Sequence, residues 1–298
     1  MRWVARVFVA LVAIVLIAVA AVDVVSNGKL NKTYDIPPQA LALAVPSDAA
    51  SVARGRHLAV AIGKCVVCHG ADLGGTVFLD VPPFRVIAPN LTRGDGGAGR
   101  TFSDADFVRA IRHGVDPSGR PLLIMPSDDY AHFTNADLAD IIAYVKSVAP
   151  VDRQLPNTVV RPLGRFLLAI GKLPDPPAAS IDHGAPPPAD MLPSVSVAYG
   201  RYIAQTGGCI GCHGAGLSGG PIPGLPPNVP PAQNITPAGI GAWSDADFIR
   251  ALRVGKRPDG STMNRLMPWA ETSLMTDDEL KALLLYLRSV PPRPTGTR

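Results

Sequence analysis

The chain reads as an all-α protein: two tandem helical domains of one type behind an N-terminal transmembrane helix. Three observations predict this. Residues 7–22 form an uncharged apolar run directly after Arg2 and Arg6. Beyond it, 29 glycines and 31 prolines in 298 residues favour short helices separated by long loops over a large sheet. The landmarks of one half also return in the other at offsets of about 141 to 145 residues, an internal duplication and not a many-unit solenoid. Length alone points to about two domains, each able to hold its own core.

The apolar run, extended by Trp3 to Ala5 and by Val24-Val25 with Arg6 snorkelling at the inner boundary, approaches the roughly 20 residues a spanning helix needs. Its positive flank belongs in the cytoplasm, which sends the body to the periplasm. Ala18-Val19-Ala20 resembles a signal-peptidase site, so a cleaved signal peptide is the competing reading of residues 1–25. The run is long for a signal core, which favours a retained anchor. Either way the body is exported.

After a polar stretch, the first domain spans residues 46–150. Ser51 to Ala61 reads as a short helix. Ser103-Asp104-Ala105-Asp106 is close to a capping box, followed at helical spacing by Phe107, Val108 and Ile111 and ended by Gly114. Thr134 starts another helix, with Leu138, Ile141, Ile142 and Val145 on one face. The second domain, residues 195–298, repeats the order. Gly200-Arg201-Tyr202 answers Gly55-Arg56-His57, Ser244 to Asp247 answers Ser103 to Asp106, and Thr276 opens the last helix. Residues 151–194 between them are proline-rich, a semi-extended linker with one helical turn over Arg165 to Ile170.

The chemistry is concentrated in Cys65-Val66-Val67-Cys68-His69 and Cys209-Ile210-Gly211-Cys212-His213. C-x-x-C-H is the attachment site of a c-type haem. The two thiols add to the porphyrin vinyl groups, and the following His is held beneath the iron. A single copy would also suit a redox dithiol or half a zinc site. Two copies that use all four cysteines point to two covalently bound haem c groups and leave no thiol for a disulfide.

These motifs, and the helices around them, resemble the class I c-type cytochromes, specifically a membrane-anchored dihaem cytochrome c of the bacterial periplasm. The resemblance covers residues 46–150 and 195–298. Each half carries a Met-Pro pair at matching depth, Met125-Pro126 lying 56 residues past His69 and Met267-Pro268 lying 54 past His213. The resemblance implies that Met125 and Met267 are the distal iron ligands, opposite His69 and His213. Met263 and Met275 are near enough to compete in the second half. A proline carbonyl should fix each ligating His, from Pro82-Pro83 and from Pro226-Pro227. Asn90-Leu91-Thr92 and Asn234-Ile235-Thr236 read equally as propionate contacts or as turns. Trp243 and Trp269 are expected to wall the second haem.

The other histidines (His57, His113, His132, His183) have no counterparts in the repeat and read as surface or hydrogen-bonded residues. No phosphate-binding glycine loop or activated nucleophile is present. The formal charge of +4 identifies no partner, since four haem propionates would cancel it. Nucleic-acid binding has no support. The reading is an electron-transfer protein and not an enzyme. It would relay electrons from a periplasmic dehydrogenase or quinol-oxidising complex to a later acceptor, a terminal oxidase or a soluble cytochrome. The rivals are a dihaem peroxidase with one open iron site, and an obligate subunit of a dehydrogenase or oxidase complex.

Overall fold

The computed structural model describes residues 2–297. A 29-residue helix, α1 (Arg2–Leu30), projects from the body. Among the described residues it is the one helix long and apolar enough to cross a membrane. The first helical domain follows as α2 (Ala49–His57), the haem-motif turn α3 (Cys65–His69), α4 (Asp104–His113), α5 (Ser127–Tyr130) and α6 (Asn135–Ser147). A connector helix, α7 (Pro162–Ala169), precedes the second domain. That domain comprises α8 (Val197–Thr206), the turn α9 (Cys209–His213), α10 (Asp245–Val254), α11 (Trp269–Thr272) and α12 (Asp277–Ser289). The two series match element for element.

Local chemistry fixes the helix starts. Ser103 and Asp106 form a reciprocal capping box, as do Ser244 and Asp247, and Thr276 and Glu279. The first domain helix begins earlier than Ser51, because Asp48 accepts from the Ala50 and Ser51 N–H groups and caps it. Gly114 and Gly255 end their helices at φ of 67° and 66°, a left-handed conformation that costs glycine little.

In each domain the first and last helices cross almost backbone to backbone. A Cβ on Gly55 would stand 1.8 Å from the Asp140 carbonyl oxygen, and one on Gly200 would stand 1.9 Å from that of Ala282. Any side chain there must drive the helices apart. The crossing buries Leu58, Leu138, Ile141 and Ile142 in one domain, and Ile203, Leu280, Leu284 and Leu287 in the other. These two apolar layers join in one continuous core.

The halves differ in two places. Cys65 lies ten positions past Gly55, whereas Cys209 lies nine past Gly200. The extra residue is absorbed by a π-helical turn over Leu58–Ile62, so both crossing and haem turn keep their positions. The first domain also carries a small antiparallel sheet, an addition to the all-helical expectation. Strands β1 (Thr76–Val81) and β2 (Phe84–Ala88) form a hairpin, and β3 (Val159–Val160) from the connector joins β2.

The connector lies along the first domain. Arg153 pairs with Asp72 at 2.9 Å, Arg161 pairs with Asp80 at 2.6 Å, and His183 meets His113 with 3.1 Å between their Nδ1 atoms. The helical turn expected over Arg165 to Ile170 is the longer α7.

The crossing glycines should be the least replaceable small residues in the chain. Gly55→Val or Gly200→Val is expected to destabilise the protein by at least the ~1–3 kcal/mol typical of overpacking. The change should appear as a lowered denaturant midpoint.

Candidate haem sites

Each C-x-x-C-H sequence forms one helical turn entered through a left-handed residue and left through a glycine. The entry residues are Lys64 at φ 53° and Gly208 at φ 73°, and the exits are Gly70 and Gly214, both at φ 81°. Gly208 adopts this shape freely. Lys64 pays for it, and is held there by its ammonium, which donates to the carbonyls of Ile62 at 2.9 Å and Gly207 at 3.0 Å.

Above each turn lies a hollow. The first is lined by Cys65, Cys68, His69, Phe102, Met125 and Tyr130, among others. The second is lined by Cys209, Cys212, His213, Trp243, Met263 and Met267, with Met275 also on its wall. Their volumes, about 510 and 180 Å³, far exceed the roughly 10–15 Å³ that admits one water. They are large enough to take a sizeable group. Lys64 lines both.

The imidazoles are oriented from behind. His69 Nδ1 donates to the Pro89 carbonyl at 2.8 Å, and His213 Nδ1 donates to that of Gln233 at 2.6 Å. This fixes the tautomer, with the proton on Nδ1 and the lone pair on Nε2. The partner carbonyls are therefore not those of Pro82-Pro83 or Pro226-Pro227. Pro82 and Pro83 form the β1–β2 turn, while Pro89 and Gln233 both stand 20 residues past their histidines.

The residue after each carbonyl explains why it is fixed. Asn90 Oδ1 accepts from the Thr92 N–H at 2.9 Å and its hydroxyl at 2.8 Å, while its amide donates to the Val151 carbonyl at 2.6 Å. Asn234 repeats this with Thr236, and donates to Arg293 at 2.8 Å. Both asparagines are buried. Their hydrogen bonding goes into the turn and the chain beyond the last helix, as the turn reading expects.

The Met-Pro segments match as closely. Pro126 has φ −78°, ψ 59°, and Pro268 has φ −77°, ψ 59°, so Met125 and Met267 enter their hollows from the same backbone turn. Met263 and Met275 have no such counterpart. Trp243 lines the second hollow as expected. Trp269 does not, because its ring lies over Gly255, where an added Cβ would come within 2.6 Å of it. None of the remaining histidines lines either hollow. His57 reaches Glu279, His113 meets His183, and His132 is exposed.

The donor set fits a covalently attached porphyrin: two thiols and an imidazole on one turn, and a thioether lining the same apolar hollow. Burial pushes the Cys65 thiol up to about 12 and Cys68 to about 11, opposite to the depressed value of a reactive dithiol. Among the described residues no group of three or more His, Cys, Asp or Glu converges to hold a bare metal ion.

The domains meet through reciprocal contacts. Tyr202 OH donates to Asp137 Oδ2 at 2.5 Å, and His57 Nε2 lies 2.9 Å from both Glu279 oxygens. Tyr202 and His57 occupy equivalent positions, as do Asp137 and Glu279. The contact is thus two-fold in pattern, as in an isologous dimer. Arg54 also pairs with Asp137.

Fold and sites together define a c-type haem protein with two attachment sites. The cytochrome c family model matches residues 52–149 and 197–291, and the chain belongs to that family. It carries two covalently bound haem c groups. It is similar to the fructose dehydrogenase cytochrome subunit of Gluconobacter japonicus, 30% identical over 82% of this chain and 53% of the relative. The cytochrome c subunit of the quinone alcohol dehydrogenase of Gluconacetobacter polyoxogenes is 29% identical over 86% and 59%. A dihaem c-type cytochrome of Cereibacter sphaeroides is 31% identical over 77% of this chain and 82% of the relative. The chain thus spans little more than half the length of these two dehydrogenase-associated relatives.

Asp129 lies beside the interface, its carboxylate close to Gly208 and Gly211. Burial, reinforced by Asp128 and opposed by Lys64, pushes its carboxyl from 3.8 up to about 7. Between those values the folded chain holds a proton the unfolded chain has lost, so stability falls as pH rises through this window. Asp129→Asn should flatten that decline, read from denaturant midpoints across a pH series.

Proposed function

We propose that this protein is a membrane-anchored electron carrier in which Met125 and Met267 complete the iron coordination opposite His69 and His213. One observation carries the proposal: two hollows, each lined by a carbonyl-oriented imidazole and by a methionine from a matching Met-Pro turn. The haem iron supplies the redox chemistry when bound, cycling between ferric and ferrous states. The chain's part is ligation and burial. His69 and His213, each oriented by a backbone carbonyl, would hold the iron from one side, and the thioethers of Met125 and Met267 would supply a second protein ligand and favour a higher potential. Two protein ligands on each iron would keep its coordination similar in both oxidation states, so little reorganisation would oppose transfer.

The haem domains are assigned to residues 46–150 and 195–298. The helix α1 is read as a retained anchor with the haem domains in the periplasm. Its continuity from Arg2 through Ala18-Val19-Ala20 to Leu30, and the attachment of its end to α7, support this. The dehydrogenase relatives supply the donor class: electrons enter from a membrane-bound dehydrogenase or quinol-oxidising complex and leave to an oxidase or a soluble cytochrome. The names of those relatives favour a specific form of this reading, in which the chain is the cytochrome subunit of a dehydrogenase complex.

A redox titration followed by absorption tests the ligation, using the weak near-infrared band of Met–iron coordination. Two low-spin haems with that band are expected. Met267→His should lower the potential of one haem and remove only its share of the band. A high-spin ferric signal with peroxide turnover would instead favour the dihaem peroxidase.

A further inference from the structure

Helix α7 in the connector is amphipathic in an unusual place. Gly164 and Leu168 are buried, whereas Leu163, Phe166 and Ile170 are 45%, 46% and 50% exposed, leaving an apolar stripe with no protein over it. The buried side is fastened to the end of α1. Arg165 Nη1 donates to Asn27 Oδ1 at 2.7 Å and Ser26 Oγ at 3.3 Å, and it lies 3.4 Å from Asp23 Oδ1. Lys29 donates to the Leu168 carbonyl at 3.2 Å and pairs with Asp175 at 2.7 Å.

These contacts set the depth of α7. The uninterrupted apolar run of α1 ends at Val22 and its extension at Val25, so Arg165 takes Asp23 at the boundary and Ser26 and Asn27, the first polar residues beyond it. From Asp23 to Asn27 a helix rises about 6 Å. The headgroup layer on each side of a bilayer is about as thick, the difference between roughly 30 Å of hydrocarbon and 40–45 Å overall. We infer that α7 lies in the headgroup region of the membrane α1 crosses, with Leu163, Phe166 and Ile170 inserted toward the acyl chains. The occupant of the stripe is lipid, because the stripe is carried on the segment that leaves the bilayer. The first haem hollow is placed by the same contacts, since Leu30, Asn31 and Arg165 are on its wall. It therefore opens beside the membrane surface.

This inference rests on α1 being an anchor, and the test separates the two. Full-length, haem-loaded protein is reconstituted in vesicles containing a photoreactive lipid with its diazirine near the headgroup end of the acyl chain. After alkaline carbonate washing and illumination, adducts are mapped by mass spectrometry. Adducts on the peptide containing Leu163, Phe166 and Ile170, and none around the exposed Leu274 of the second domain, are expected. Replacing all three apolar residues by Ser should abolish them while α1 is still labelled. Protein retained after washing but labelled on α1 alone would overturn the inference and leave the anchor standing. Protein removed by the wash would overturn the anchor, and the inference with it.

Discussion

The architecture depends on two places where helices touch without side chains between them, at Gly55 against Asp140 and at Gly200 against Ala282. These close crossings fix the first and last helices of each domain as a rigid pair. Only from such a pair can the haem turn leave one helix at a set angle while the last helix closes the far side of the hollow. The π turn at Leu58–Ile62 underlines how strict this is. An extra residue between crossing and motif is coiled away locally, and neither landmark moves.

The same helices carry the contact between domains. Two residues past each crossing glycine, His57 and Tyr202 reach out to the acidic residue in the first turn of the other domain's last helix. Burial raises the Glu279 carboxyl, but His57 and the Thr276 N–H outweigh it and hold the group below its ordinary value. The duplication therefore does more than supply two sites: each copy presents the complement of the other. Lys64 is the departure from symmetry. It occupies a backbone shape that its counterpart Gly208 adopts without strain, and in return bonds across the interface to Gly207.

Much of this was legible in the sequence. Covalent haem chemistry demands fixed residues at fixed spacing, so Cys65 to His69 and Cys209 to His213 could be read directly. Capping boxes at Ser103, Ser244 and Thr276 depend on neighbours three residues away, and they formed as written. What depended on long loops was harder. The carbonyls behind the histidines come from Pro89 and Gln233, where residue identity is immaterial because only the backbone oxygen matters. The repeated Asn-x-Thr that follows each was the available signal. The hairpin at Thr76–Ala88 is held partly by β3 of the connector, a partner far away in sequence. Trp269 was expected from aromatic packing to wall a haem, but its direction is set by the space above Gly255.

The reciprocal interface changes what the connector is for. In tandem modules joined by a flexible tether, tether length governs how often the modules meet. Here the modules are already seated on each other, and the connector is spread over the first of them as an added layer. The spacing of the two cofactor pockets is then a property of the fold, indifferent to the length of residues 184–196. Such a chain behaves as a conductor of fixed gauge, whose two ends are free to be specialised for different neighbours.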